Sequence, residues 1–246
     1  MAVGQLGGDH AIWIVAALLY VFAAAKLLSP REFLVVETGR GRFAPALGEA
    51  PFTLAGRVVA FGALLRPDRA VFVLRWGDRW AHPDAARAAP RRFTDISARL
   101  FPLRLVVIWS SVWLFAAGPA LTVWLGLDAA IYCAIAAVYP AVLAAGLVLW
   151  HVRAALRLSR ARIAKLVVEA LVFPPALANL VRKVTLAESI EGDGVQTALA
   201  LLDPDGRERF WDRLERRAEE LINEVGRDDP EGQRLLAYMA AARAAR

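Results

Sequence analysis

Three histidines, one cysteine and two acidic turns are the residues from which this 246-residue chain could assemble a reactive site. His82 stands two positions before Asp84, a pairing able to move a proton, but the surrounding Pro-rich stretch makes a solvated loop the simpler expectation. His10 and His151 fall at the ends of apolar runs, and no two histidines share a helix face, so a metal site would need ligands from separate segments. The turns Glu191-Gly-Asp-Gly194 and Asp203-Pro-Asp-Gly206 resemble calcium loops only superficially. An EF-hand loop places oxygen ligands at positions 1, 3 and 5 with glycine at 6. Counted from Asp203, Gly206 is fourth and Arg207 fifth, so both turns are expected to cap helices. Cys133, alone and flanked by apolar residues, excludes an intrachain disulfide and a cysteine cluster, and behaves as a small hydrophobe. There is no Walker loop, dinucleotide fingerprint or nucleophile elbow. The least unsuitable catalytic residues are His82, Asp84 and Glu169. The expectation is that the chain carries no catalytic, cofactor or metal residues.

The elements around these residues are those of a polytopic membrane protein. Hydrophobic residues make up 58% of the chain although 22% are charged, so the charges must be segregated. Leu105–Leu127 and Ala129–Trp150 are uncharged and separated only by Asp128, and each is long enough to cross about 30 Å of hydrocarbon. They predict a helical hairpin turning at Gly126-Leu127-Asp128, with Pro119 and Pro140 tolerated as kinks. A third uncharged run, Ala11–Ala25, reaches Leu28 if Lys26 extends its ammonium to the interface. A cleaved signal peptide is the rival reading, but Met1–His10 has no Lys or Arg.

Charge assigns the sides. With spans at 11–28, 105–127 and 129–150, Lys26–Arg104 carries 14 Lys and Arg, and His151–Arg246 the remaining 16 of the chain's 30. The positive-inside rule then puts the N-terminus and hairpin tip outside, with loop and tail in the cytosol of a bacterial inner membrane. Trp13 and Trp124 fall near the outer interface, Trp109 and Trp150 near the inner one.

The cytosolic loop, 29–104, contains β-favouring runs at Phe33–Val36 and Val71–Trp76 and reads as a small mixed α/β subdomain. Phe52–Leu65 is too short to span and is expected as a buried strand pair or interfacial segment, with a re-entrant element as the alternative. After the third span, Arg153, Arg157, Arg160, Arg162 and Lys165 form a basic helical stretch suited to anionic lipid headgroups, where each charge contributes about 1 kcal/mol. Ile163–Leu186 is apolar but broken at Pro174-Pro175, and an interfacial helix–break–helix is expected, with 151–187 at the inner surface. The remainder, 188–246, reads as a helical tail. From Gly206 to Val225, with Asp205 as cap and Glu208 completing a capping box, Phe210, Trp211, Leu214, Ala218, Leu221, Ile222 and Val225 make one apolar stripe. That stripe either covers its own tail, including Leu235, Leu236 and Met239, or docks a partner through Phe210, Trp211, Leu214, Leu221 and Ile222.

Small residues recur in the spans. Gly118, Thr122 and Gly126 form one face and Ala137, Ala141 and Ala145 another, and such faces pack helices within a bundle or against another subunit. The spans themselves contain no ionisable group of the kind that marks an ion path. Trp76 and Trp80 could stack on nucleic acid, but interface anchoring or a small core explains them, and no nucleic-acid partner is expected. The expected function is therefore a non-catalytic accessory, anchoring or assembly subunit, integral to the membrane, with a protein partner or a second copy of itself. A membrane-bound enzyme acting on a lipid or lipid-linked substrate, and an accessory subunit of a transporter, are the alternatives.

Overall fold

The computed structural model describes residues 11–39, 41–47, 53–54, 57–77, 83–188, 190 and 192–245. It is mostly helical with a small sheet region. It divides into two compact units: Met1–Ala25, Ala63–Ala70 and Ile96–Thr185 in one, Lys26–Gly62, Val71–Asp95 and Leu186–Arg246 in the other.

The hairpin organises the helical unit. Helices α3 (Phe101–Leu125) and α4 (Leu127–Val152) are 25 and 26 residues long, about 37–39 Å at 1.5 Å per residue. Gly126 joins them with φ 85° and ψ 166°, a backbone conformation that strains any residue bearing a Cβ. Asp128 then enters the first turn of α4, where its charge favours the positive helix end. Helix α3 widens into a π turn over Trp113–Ala117, just before Gly118-Pro119. Proline cannot donate a backbone hydrogen bond and its ring crowds the carbonyl four residues back, which the wider turn relieves. Pro140 sits inside a continuous α4.

Helix α1 (Ala11–Ala24) is followed not by more helix to Leu28 but by strand β1 (Ala25–Leu28). The first helical run is thus shorter than the sequence predicts, because β1 joins a three-stranded sheet of order β1-β5-β4 with β4 (Thr53–Leu54) and β5 (Arg57–Phe61). Thr53 pairs antiparallel with Val58 and Leu54 with Arg57, so part of 52–65 is a strand pair, while Ala63–Ala70 belongs to the helical unit.

Beyond α4 the chain reverses through Arg157 (φ 49°) into α5 (Arg160–Val172). Ser159 caps α5 by accepting the Arg162 N–H at 3.1 Å. Pro174-Pro175 stops it, and α6 (Pro175–Ala178) and α7 (Leu180–Thr185) follow. Helix α5 does not lie apart on a surface. It packs along α4, with Val167 against Gly146.

In the second unit, β2 (Glu32–Gly39) is the centre of an antiparallel sheet, between β3 (Arg42–Ala46) and β6 (Val71–Arg75). Its register aligns Val36 with both Ala44 and Val71. Phe93 of α2 (Pro83–Arg99) packs its ring on Phe43 and Phe72, with centroids 5.4 and 4.6 Å away. Asp193 caps α8 (Gly194–Leu201) and accepts the Tyr238 hydroxyl at 2.9 and 2.8 Å. The amphipathic helix is α9 (Pro204–Val225), followed by α10 (Pro230–Ala244). Its cap is Asp203, accepting the Gly206 N–H at 2.8 Å, rather than Asp205: proline at the first helical position moves the start two residues earlier.

Candidate functional site

Geometry within the helical unit brings together residues that the sequence holds far apart. Val167 meets Gly146, and seven residues further on, in opposite directions, Pro174 and Tyr139 line the same cavity. Helices α4 and α5 are therefore antiparallel neighbours, and the Pro174-Pro175 break lies level with the middle of α4. On the other side, Tyr20 of α1 stacks against Phe115, near the midpoint of α3, with centroids 5.1 Å apart. Asn179, just after the break, donates its amide N–H to the Tyr20 carbonyl at 3.1 Å. The expected helix–break–helix is present, its limbs folded back alongside α3 and α4 with the break level with the middle of α4.

A buried polar cluster holds this arrangement. Asn179 is 0% and Arg182 1% exposed. The Arg182 guanidinium donates to Asn179 Oδ1 and, at 2.9 Å, to the Ala63 carbonyl. Beside it the Tyr20 hydroxyl donates to the Leu64 carbonyl at 2.5 Å. Ala63 has φ 50°, which for a residue with a Cβ costs on the order of 1–3 kcal/mol, and the charge-assisted bond to Arg182 helps offset that strain. Among the described residues no carboxylate lies within ion-pair distance of Arg182, and its Nε has no hydrogen-bond partner. The cluster ties α1, the Ala63–Ala70 segment and α7 together. Glu169 and Lys183 pair across the two limbs of the folded-back hairpin.

Next to the hairpin tip is an apolar cavity of about 260 Å³. Its walls come from Trp13 and Leu19 of α1, Leu114 of α3, Ile135 and Tyr139 of α4, and Phe173. The Tyr139 hydroxyl and the Trp13 indole N–H are the polar side-chain groups of these walls, and the latter already donates to Thr122 Oγ1 at 2.9 Å. The second unit has a cavity of another character, about 220 Å³, where Arg31, Arg75, Glu224 and Glu231 surround Leu221 and Leu235. Arg31 and Glu231 pair with each other there at 2.6 Å.

The residues expected to matter fall into three groups. The small-residue faces serve packing inside the unit: Gly118 and Thr122 receive the Trp13 ring, where a Cβ on residue 118 would overlap the indole. Gly126 is the hairpin turn rather than part of that face. Ala141 and Ala145 are buried, and the Ala137 carbonyl accepts the Trp109 indole N–H at 3.2 Å. Trp13 is thus an internal packing residue, while Trp124 is 83% exposed.

The expected docking stripe is covered by its own unit. Phe210, Trp211, Leu214, Leu221 and Ile222 are all buried, Phe210 against Phe33 with centroids 5.7 Å apart. The stripe is not an open docking face, because burying it completes the core beneath β2 and α10. Of the basic group, Arg157, Arg160, Arg162 and Lys165 are exposed and Arg153 half-buried on Trp150. Trp76 is buried against Tyr238. His10, Trp80, His82 and Glu191 lie outside the described residues, and Asp84 lies in the first turn of α2.

Sequence reasoning did not find Tyr20, Ala63, Asn179 and Arg182. A signal existed for two of them, an amide and a guanidinium three residues apart in the run 176–184, whose one other polar residue is Lys183. Compared with protein-family models, curated proteins and solved structures, the chain matches none.

Proposed function

We propose that this chain is a membrane-integral anchoring or assembly subunit of a bacterial inner membrane, binding and positioning partners rather than catalysing a reaction. The observation that carries the membrane reading is the exposure of the hairpin. Only 28% of the most apolar window of α3 and 22% of that of α4 is buried. Val112, Val123, Trp124, Tyr132, Leu143 and Leu147 face outward instead. A soluble core helix would bury such residues, and water would penalise so large an exposed apolar belt. Hydrocarbon accepts it.

A third crossing is part of this reading: helix α1 supplies about 21 Å of it, and the apolar run of the sequence continues to Leu28. The folded-back α5–α7 segment is then re-entrant. Its helix break is acceptable at that depth because the freed backbone lies against protein, with Pro175–Ala178 buried. Apart from Arg182 and Lys183 of the folded-back segment, all Lys and Arg again fall on one side, with the N-terminus and Asp128 opposite.

The assembly reading rests on the buried polar cluster, which links α1, the Ala63–Ala70 loop and α7. With the α9 stripe occupied, the surface offered to a partner among the described residues is the outward apolar belt of α1, α3 and α4. The apolar cavity supports a second reading, an enzyme for a lipid-linked substrate whose acyl chain it would hold. Purification of the full-length tagged chain from carbonate-washed membranes in mild detergent tests the first reading. A stoichiometric partner that photo-crosslinks to probes at Leu18 or Leu147 is the expected result. A monomer that makes no crosslink at either position contradicts it.

A further inference from the structure

We infer that the reversal between α4 and α5 is a binding site for the phosphate of an anionic phospholipid, with Arg153, Arg157, Arg160, Arg162 and Lys165 as its ligating groups. This rests on the membrane reading and adds a ligand class to it. Two guanidinium groups share one ring: Arg153 lies 3.8 Å and Arg160 5.7 Å from the Trp150 ring. Stacking on an indole face holds both cations in place, and leaves the Arg153 Nη1 buried without a hydrogen-bond acceptor. Arg157, Arg162 and Lys165, exposed on the reversal and the first two turns of α5, are the nearest further cations in the sequence.

No compensating acid is near in sequence. Between Asp128 and Glu169 the chain has no carboxylate, and Glu169 is engaged by Lys183. Like charges gathered this closely repel one another unless an anion lies among them. A planar guanidinium fork matches phosphate oxygens in pairs, so a phosphate satisfies several of these groups at once. The site belongs to a lipid rather than to a dissolved anion because Trp150 is half exposed at the end of the outward apolar surface of α4, next to Leu147. A headgroup bound here would have its acyl chains beside that surface.

The test uses full-length protein in nanodiscs of phosphatidylcholine, with spin-labelled phosphatidylglycerol and phosphatidylcholine as probes of lipid held at the protein surface. Reconstituted protein is first washed with carbonate: release into the wash sinks the membrane reading itself. If the protein stays embedded, phosphatidylglycerol is expected to be retained at least about threefold over phosphatidylcholine. The quadruple variant Arg153→Gln, Arg157→Gln, Arg160→Gln and Arg162→Gln should bring that ratio close to one. The matched variant Arg209→Gln, Arg216→Gln, Arg217→Gln and Arg227→Gln should leave it unchanged. Embedded wild-type protein with no preference overturns the inference, whether or not the first variant folds. So does loss of the preference in millimolar inorganic phosphate, which would mark a site for free anions, or an equal loss in both variants.

Discussion

Asn179 donates its side-chain amide to the Tyr20 carbonyl while its own oxygen accepts from Arg182, joining residues 159 positions apart in sequence. Replacing Asn179 with leucine removes the second bond to the Tyr20 carbonyl, which still accepts within α1, and leaves a buried guanidinium N–H without its acceptor. That loss should destabilise the variant by about 1–3 kcal/mol. Thermal unfolding in detergent measures this. An Asn179→Leu variant as stable as wild type would mean that the hairpin tip is not anchored at α1.

Gly118 makes a complementary prediction. Its lack of a Cβ admits the Trp13 ring, whose indole N–H reaches Thr122. Gly118→Leu should dislodge α1 from the α3–α4 hairpin, whereas Trp13→Phe keeps most of the packing and loses one hydrogen bond, about 0.5–1.5 kcal/mol. The larger loss should therefore fall on Gly118→Leu when both are compared by unfolding in the same detergent. The reverse order would contradict the packing of Trp13 on residue 118.

Leu214 is fully buried on the inner face of α9. Leu214→Ala should cost about 2–5 kcal/mol, and Leu214→Asp should unfold the unit that contains it. Limited proteolysis of the full-length chain distinguishes this from a docking role. A docking residue changed to aspartate would leave the digestion pattern intact and abolish only partner binding. Here, cleavage sites within 186–246 are expected to open.

Particular residues explain what was legible beforehand. The hairpin was, because one charged residue, Asp128, between two long uncharged runs next to a glycine leaves little other solution. Helix α9 was legible too, since its apolar positions recur at helical spacing, although the proline at 204 moved its cap from Asp205 to Asp203. The depth of α5–α7 was not. Arg182 and Lys183 read as surface charges because their partners, the Ala63 carbonyl and Glu169, lie 119 and 14 residues away. Only tertiary structure shows Arg182 satisfied inside and Lys183 paired at a partly exposed edge. The end of α1 was hidden for a similar reason: Ala25–Leu28 is as apolar as the helix before it, and pairing with β5, not local propensity, makes it a strand.

The claim on which the rest depends is that α3 and α4 cross a bilayer and return. Single-cysteine variants Asp128→Cys and Arg160→Cys, in a Cys133→Ser background, can be exposed in intact spheroplasts to a membrane-impermeant maleimide. Position 128 is expected to label at once and position 160 only after permeabilisation. Labelling of both positions from the same side would contradict it.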